Sequence, residues 1–281
     1  MKYRVRAIIL MFFVFVASVV NAQNRNQYAK IAEIKNIDQS LIECIYEYSV
    51  TDSDLNQSRT YYDILQVGKT KSKYFSYKSY RTDSIVYKKD INKITRKEYE
   101  TIIRSNSISM GSPYTIIKNK DSQIIDYYDR IFIDYYVIAD SLNIMKWTLK
   151  NKSEIVCGYL CQIAETNFRG RYWTAYYAPD LPINDGPWKF SGLPGLILKV
   201  EDSDKEHIFN AITLRKSADE IYIEKKSYFK TNRKQFNQNL NKYKSNPSSF
   251  IAGSQLAPKK LSGEEKNHQN RKLFYKPIEL D

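Results

Sequence analysis

Histidine is almost missing from this chain, with two copies among 281 residues. That scarcity excludes His-rich metal centres and reaction schemes built on several imidazoles. Cysteine is nearly as scarce. Its three copies, Cys44, Cys157 and Cys161, are odd in number, so at least one thiol stands outside any intramolecular pairing. The C-x3-C spacing of Cys157 and Cys161 also departs from the two-residue spacing of the common redox and zinc pairs. On one continuous strand their Cα atoms would lie roughly 13 Å apart, beyond the ~7 Å reach of a disulfide. A bridge from Cys44 to either one stays open, beside the reading of all three as small buried hydrophobes. G-x-S-x-G, H-E-x-x-H, phosphate-loop and dinucleotide-binding patterns do not occur, so no catalytic residue and no cofactor is expected from motif.

Long apolar runs are confined to one place. Lys2, Arg4 and Arg6 precede a 14-residue stretch, Ala7 to Val20, which is followed by Val20-Asn21-Ala22. A basic start, a short apolar centre and small residues at the end are the marks of a secretory signal. The run is shorter than the ~20 residues a spanning helix needs. Cleavage after Ala22 would leave Gln23 as the N-terminus, and the expected address is the periplasm or cell envelope, extending to the medium. After cleavage no transmembrane segment is expected. Removing three of the 44 basic residues leaves 41 against 31 acidic ones, a net +10. The basic residues are scattered and accompany no nucleic-acid motif, so nucleic acid is not an expected partner.

What the chain has in abundance is aromatic: 24 Tyr, 12 Phe and 3 Trp. Such residues favour half-buried strands, and period-2 patterning runs through most of the sequence. In Ser40 to Val50 the even positions Ile42, Cys44, Tyr46, Tyr48 and Val50 are apolar, while the odd ones include Glu43, Glu47 and Ser49. Similar short strands are predicted over 60–67, 72–78, 114–118, 123–128, 131–139, 145–149, 154–165, 171–178, 196–201 and 208–214. Hairpin-length breaks separate them, among them Thr166 to Gly170, where the glycine supplies a positive φ. The expected class is mainly β: a curved antiparallel meander sheet or incomplete barrel with one or two accessory helices. Helical spacing occurs over 83–108 and, through Phe236, Leu240 and Tyr243, over 230–244. The expected organisation is a signal peptide at 1–22, a β domain over 23–225, then an amphipathic helix and a polar, loosely packed tail over 226–281.

Proline and glycine cluster between Pro179 and Gly195, where seven of seventeen residues are one or the other. Such a loop is rigid and specific in its path. Its apolar members Trp188, Phe190 and Leu193, with Leu196 just beyond, are too many for a solvated connection. The string Asp185-Gly186-Pro187-Trp188-Lys189-Phe190-Ser191-Gly192-Leu193-Pro194-Gly195-Leu196-Ile197 resembles the signature of the GLPGLI family, exported proteins of Bacteroidota-type bacteria, with the motif at 192–197. Gly158-Tyr159-x-Cys161, Gly170-Arg171 and Tyr176-Tyr177-x-Pro179-Asp180-Leu181-Pro182-Ile183 resemble the approach to that motif. Leu65 to Gly68 and Ser72 to Ser76, followed by Asp83, are similar to the family's N-terminal half. The resemblance covers roughly 40–214. It implies an exported β-rich protein and carries no established activity.

Two readings of the loop follow. In one it is a plug, closing the end of a curved sheet with Trp188, Phe190 and Leu193. In the other it is the lip of an apolar cavity, with Arg171, Tyr176, Tyr177, Asp185, Trp188, Phe190, Leu193, Pro194 and Leu196 as ligand-binding candidates. The function expected is non-catalytic: an envelope binding or carrier protein for an apolar or lipid-like ligand, or an accessory to an outer-membrane or envelope protein. The alternative is an exported enzyme with its site around 179–195, for which Asp180 and Asp185 are the candidate carboxylates. His207, after the acidic turn Glu201 to Glu206, reads as a solvated turn residue before it reads as a metal ligand.

Overall fold

The computed structural model describes residues 27–106, 110–142, 144–246 and 276–280. The expected signal segment and residues 247–275 of the tail lie outside the described residues. The chain divides into two units. Within the smaller one, the end of α1 (Tyr77–Val86) and α2 (Arg96–Ser105) bury Val86, Ile94 and Ile102, against which Ile31, Ile91 and Tyr99 pack. Thr95 caps α2 by accepting the Glu98 N–H at 3.2 Å. The helix expected over 83–108 is therefore two, and the strand expected over 72–78 turns helical after Ser76.

The larger unit is one open sheet of thirteen strands. Its spine is β1 (Ile34–Asp52), nineteen residues long. On one side of β1 follow, in chain order, β2 (Gln57–Gly68), β3 (Lys71–Ser76), β4 (Thr115–Asn119), β5 (Ile124–Ile131) and β6 (Asp134–Ser141). On its other side lie β11 (His207–Lys216), β10 (Leu196–Asp202), β9 (Arg171–Ala178), β8 (Tyr159–Phe168) and β7 (Thr148–Val156), so the chain returns to β1 by a second meander. All these pairs are antiparallel. The short β12 (Glu220–Glu224) pairs with the first residues of β1, and β13 (Tyr228–Thr231) adds to β6 in parallel. With β13 and β7 as unjoined edges, the sheet is mainly antiparallel and open, as the patterning predicts. Edge strand β7 is exposed along its length except at Val156; Lys150, Lys152 and a bulge between Lys150 and Ser153 blunt it against further pairing.

Two tight turns are set by glycine. Arg169-Gly170 and Cys157-Gly158 each close a two-residue hairpin with both φ values positive, the type I′ geometry. The second turn corrects the reading of 154–165 as one strand, because Cys157 stands in the turn and Cys161 on β8. All three cysteines are free thiols. Burial pushes the Cys44 thiol up to about 12 and the Cys161 thiol up to about 11, which suits hydrophobic packing more than reactivity.

The buried face of β1 carries Cys44, Tyr46, Tyr48 and Val50 into a cluster that extends through Trp173, Phe190, Phe209 and Phe236. Glu43 departs from its expected outward position. It is buried because Gln66 Nε2 (3.0 Å) and the Arg215 Nε and Nη2 atoms (2.9 and 2.7 Å) all donate to its carboxylate. The helix expected over 230–244 is α3 (Arg233–Ser245), capped by the Asn232 side chain. Phe236 is buried in the main cluster, with Leu240 and Tyr243 packed on it. Among the described residues after 225, Phe236, Leu240, Tyr243 and Ile278 thus join the main cluster, and Glu279 is buried.

Gly195 stands directly before β10, where its path touches the end of β9. A Cβ there would meet the Ala178 carbonyl oxygen at 2.3 Å and its carbon at 2.7 Å, both backbone atoms. At Gly158, by contrast, a Cβ meets nothing within 4 Å and only the positive φ of 81° opposes it. Gly195→Ala is expected to destabilise by about 2–3 kcal/mol, and Gly158→Ala by about 1–2 kcal/mol. Denaturant unfolding of both variants checks this, and the reverse order would contradict the close approach.

Candidate functional site

The loop between β9 and β10 is organised by one lysine. Lys118 on β4 is almost fully buried, and its Nζ donates to Asp185 Oδ1 (2.7 Å), Gly186 O (2.7 Å) and Phe190 O (2.8 Å). An ammonium has three protons, and all three are used. Asp185 Oδ1 also accepts the Gly186 N–H at 2.8 Å, and the Asp185 carbonyl accepts from Ile197 N at 2.9 Å. Burial pulls the Lys118 ammonium below the usual lysine range, and the facing Asp185 carboxylate opposes that pull. Tyr46, itself buried, donates its hydroxyl to Ile197 O at 2.7 Å. Trp147 Nε1 donates to Ser191 O at 2.8 Å.

Around this lysine the loop's apolar residues point into the core. Trp188, Phe190, Leu193 and Leu196 are all buried. Phe190 meets Trp173 edge to face at 4.9 Å between ring centroids, and Trp188 lies 5.1 Å from Phe190 and 5.9 Å from Phe168. Trp188 takes this place with a positive φ of 49°, a conformation its bulky side chain disfavours. Residues 163–199, which span most of β8, β9, this loop and the start of β10, match a family described as a protein of unknown function, Porph_ging.

No curated protein matches the chain. Among solved structures it is similar to two of PNGF-II, in C2 and P21 space groups. The first has a TM-score of 0.49 and 14% identity over 73% of this chain and 33% of that one. The second has a TM-score of 0.48 and 13% identity over 73% and 34%. The chain spans about a third of the length of these proteins.

Two further buried cations lie within the matched residues 163–199. Lys189 is paired with Asp140 and Glu279. Arg171 donates to Asp202 (2.6 Å), Glu206 (2.8 Å), Pro277 O (2.9 Å) and Ile278 O (3.1 Å). Together they strap 276–280 to the body of the sheet, aided by Leu280 N donating to Arg169 O at 3.0 Å. His207 completes the strap. Its Nε2 lies 3.2 Å from Pro277 O, an acceptor only, so that nitrogen carries the proton. Nδ1 is then the acceptor for the Tyr48 hydroxyl at 2.8 Å. His207 is buried, not solvated as its acidic turn suggested, because Asp202 Oδ1 turns inward to accept the His207 N–H at 2.8 Å.

The nine candidate ligand residues therefore separate. Arg171, Asp185, Trp188, Phe190, Leu193 and Leu196 are interior, Tyr176 gives its hydroxyl to Glu201 (3.0 Å) and Tyr177 gives its own to Gln162 Oε1 (2.7 Å). Pro194 is exposed. Asp180 is exposed while Asp185 is buried on Lys118, so these two carboxylates do not share a cleft. The apolar side chains of the loop thus pack within the main cluster.

A cavity of about 160 Å³ lies elsewhere, and of the nine candidates only Trp188 lines it. Tyr48, Tyr61, Tyr114, Tyr127 and Phe236 supply its other rings, with Ser112, Asp129, Arg233, Lys276, Ile278 and Glu279 also on its wall. Burial pushes the Asp129 carboxyl up, and Tyr127 donates its hydroxyl to it at 3.0 Å. Beside the cavity Asp63 receives Ser112 N (2.8 Å), Ser112 Oγ (2.5 Å) and Tyr74 OH (2.9 Å). The only sequence signal for this site is the abundance of tyrosine, since its members come from β1, β2, the residues before β4, β5, the β9–β10 loop, α3 and 276–280.

Two outcomes follow. Lys118→Met leaves Asp185 buried and unpaired, and is expected to cost about 3–5 kcal/mol in denaturant unfolding. Adding Asp185→Leu should recover part of that loss, and strictly additive effects would contradict the pairing. Burial, with nearby Arg171 adding to it, lowers the His207 pKa to about 3. The unfolded chain takes up that proton near 6.5 and the folded one only near 3, so stability falls as pH drops through this window. Between pH 7 and pH 4 the native protein should lose about 2–3 kcal/mol more than His207→Gln; equal losses would show that His207 titrates normally.

Proposed function

We propose that this chain is an exported cell-envelope protein of the GLPGLI type, and that it binds a small amphipathic ligand without catalysing a reaction on it. The observation that carries the reading is the ring-walled cavity of about 160 Å³. An engineered apolar cavity of about 150 Å³ takes up benzene, so the volume suits one ring or a branched head group. Trp188 joins the site to the motif: the loop is the plug whose fixed path holds one ring of the cavity wall in place. Export rests on Lys2 to Ala22 and places the protein in the periplasm or the outer envelope.

The test uses protein recovered from the periplasm, whose intact mass is expected to begin at Gln23. Titration with toluene, followed by aromatic proton shifts, should show saturable binding. Asn237, on α3, also lines the cavity, and Asn237→Phe, which adds a ring there, should weaken that binding more than tenfold while the unfolding midpoint holds. Absence of saturation in the native protein, or unchanged affinity in the variant, would contradict the cavity as a ligand site.

A further inference from the structure

We propose that residues 276–280 are a releasable cover over the cavity, and that the ligand enters and leaves where this segment lifts from the sheet. The inference rests on the binding reading above and adds the route of access. Lys276, Pro277, Ile278 and Glu279 all line the cavity. The rest of the wall comes from strands, from α3 and from the residues before β4 and the β9–β10 loop. By comparison the segment is lightly anchored. Among the described residues, one backbone hydrogen bond joins it to the sheet, Leu280 N to Arg169 O at 3.0 Å. Its apolar anchor is Ile278, packed on the main cluster, while Leu280 is 56% exposed. A segment with few buried apolar contacts opens at a lower free energy than the strands beneath it.

The side-chain hold on the segment is mainly polar, and each charged or imidazole group that makes it keeps a second partner when the segment leaves. Arg171, which donates to the Pro277 and Ile278 carbonyls, stays on Asp202 (2.6 Å) and Glu206 (2.8 Å). Lys189 and Arg233 share the Glu279 carboxylate. Without it, Lys189 keeps Asp140, and Arg233 keeps its place 4.2 Å over the Tyr127 ring. His207 loses the Pro277 carbonyl and retains the Tyr48 hydroxyl at 2.8 Å. Glu206 gives up Lys276 (2.5 Å) but not Arg171. A buried ion pair is costly to break when the charge left behind has nothing else to face. Here none of the groups on the body is left so, and the charges that leave, Lys276 and Glu279, pass into water. Closed, the segment completes the cavity wall; open, it leaves the rings of Tyr48 and Tyr127 within reach of an incoming ligand.

The test follows toluene entering and leaving the full mature chain, with rates read from aromatic proton line shapes. Two variants loosen the segment at residues that do not line the cavity. Leu280→Pro removes the N–H that bonds Arg169, and Glu206→Gln weakens the contact with Lys276. Each is expected to raise the entry and exit rates together, by at least about fivefold, with Kd held within twofold. On the unaltered protein, going from low salt to about 0.5 M should quicken both rates a few-fold. Salt screens the partly exposed Lys276–Glu206 pair, and toluene carries no charge for it to act on. If toluene saturates but its rates stay the same in both variants and in salt, the cover is overturned and the cavity reading stands. If the variants shift Kd through one rate alone, 276–280 is a fixed wall and the proposal fails. If toluene does not saturate the unaltered protein, both readings fail.

Discussion

The Lys118 ammonium is the point on which the structure turns. A lysine taken out of water loses several kcal/mol of hydration unless each proton finds an acceptor. Here all three do, and every acceptor lies on a loop 67 to 72 residues further along the chain. The requirement works in both directions. Strand β4 can bury its lysine only if the loop follows this path, and the loop can bury the Asp185 carboxylate and two carbonyls only if Lys118 is beneath them. Gly186 and Gly195 make that path sterically possible, because a side chain at either would press on Ile197 or on the Ala178 backbone.

With the loop fixed, the aromatic core falls into place around it. Phe190 reaches Trp173 and Phe209, and Trp188 reaches Phe168, so the end of the second meander is closed by rings. Lys189, between those two aromatics in sequence, turns to Asp140 on the first meander and to Glu279 near the chain end. Arg171 and His207 hold the same terminal segment by its carbonyls. That segment is then a wall of the cavity, opposite rings from β1 and β5. The candidate site is thus a consequence of how the loop and the strap are held.

Much of the scaffold was legible beforehand. The strands expected over 171–178 and 196–201 match β9 and β10 to within a residue, and alternation in 40–50 located the central part of β1, which begins six residues earlier. Gly170 announced its hairpin, and Phe236, Leu240 and Tyr243 announced α3. The misreadings have two causes. Gly158 turns the chain inside an apolar run that hides a local hairpin. Glu43 is charged yet interior and His207 follows an acidic turn yet is sealed in, because for these two a partner distant in sequence outweighed the local pattern.

By itself, then, the sequence determined most of the strands, the Arg169-Gly170 turn, the α3 stripe and the stiffness of the Pro/Gly loop, because each depends on neighbours within a few residues. The tertiary structure alone decided which charges go inside. Lys118, Lys189, Arg171 and Glu43 look like surface residues until strand order brings Asp185, Asp140, Asp202 and Arg215 to them. It also decided that the apolar side chains of the Pro/Gly loop pack into the core and that the cavity lies beside them, sharing Trp188. A void is the space left between elements that meet only after the two meanders have closed on β1, and no local pattern encodes what is absent.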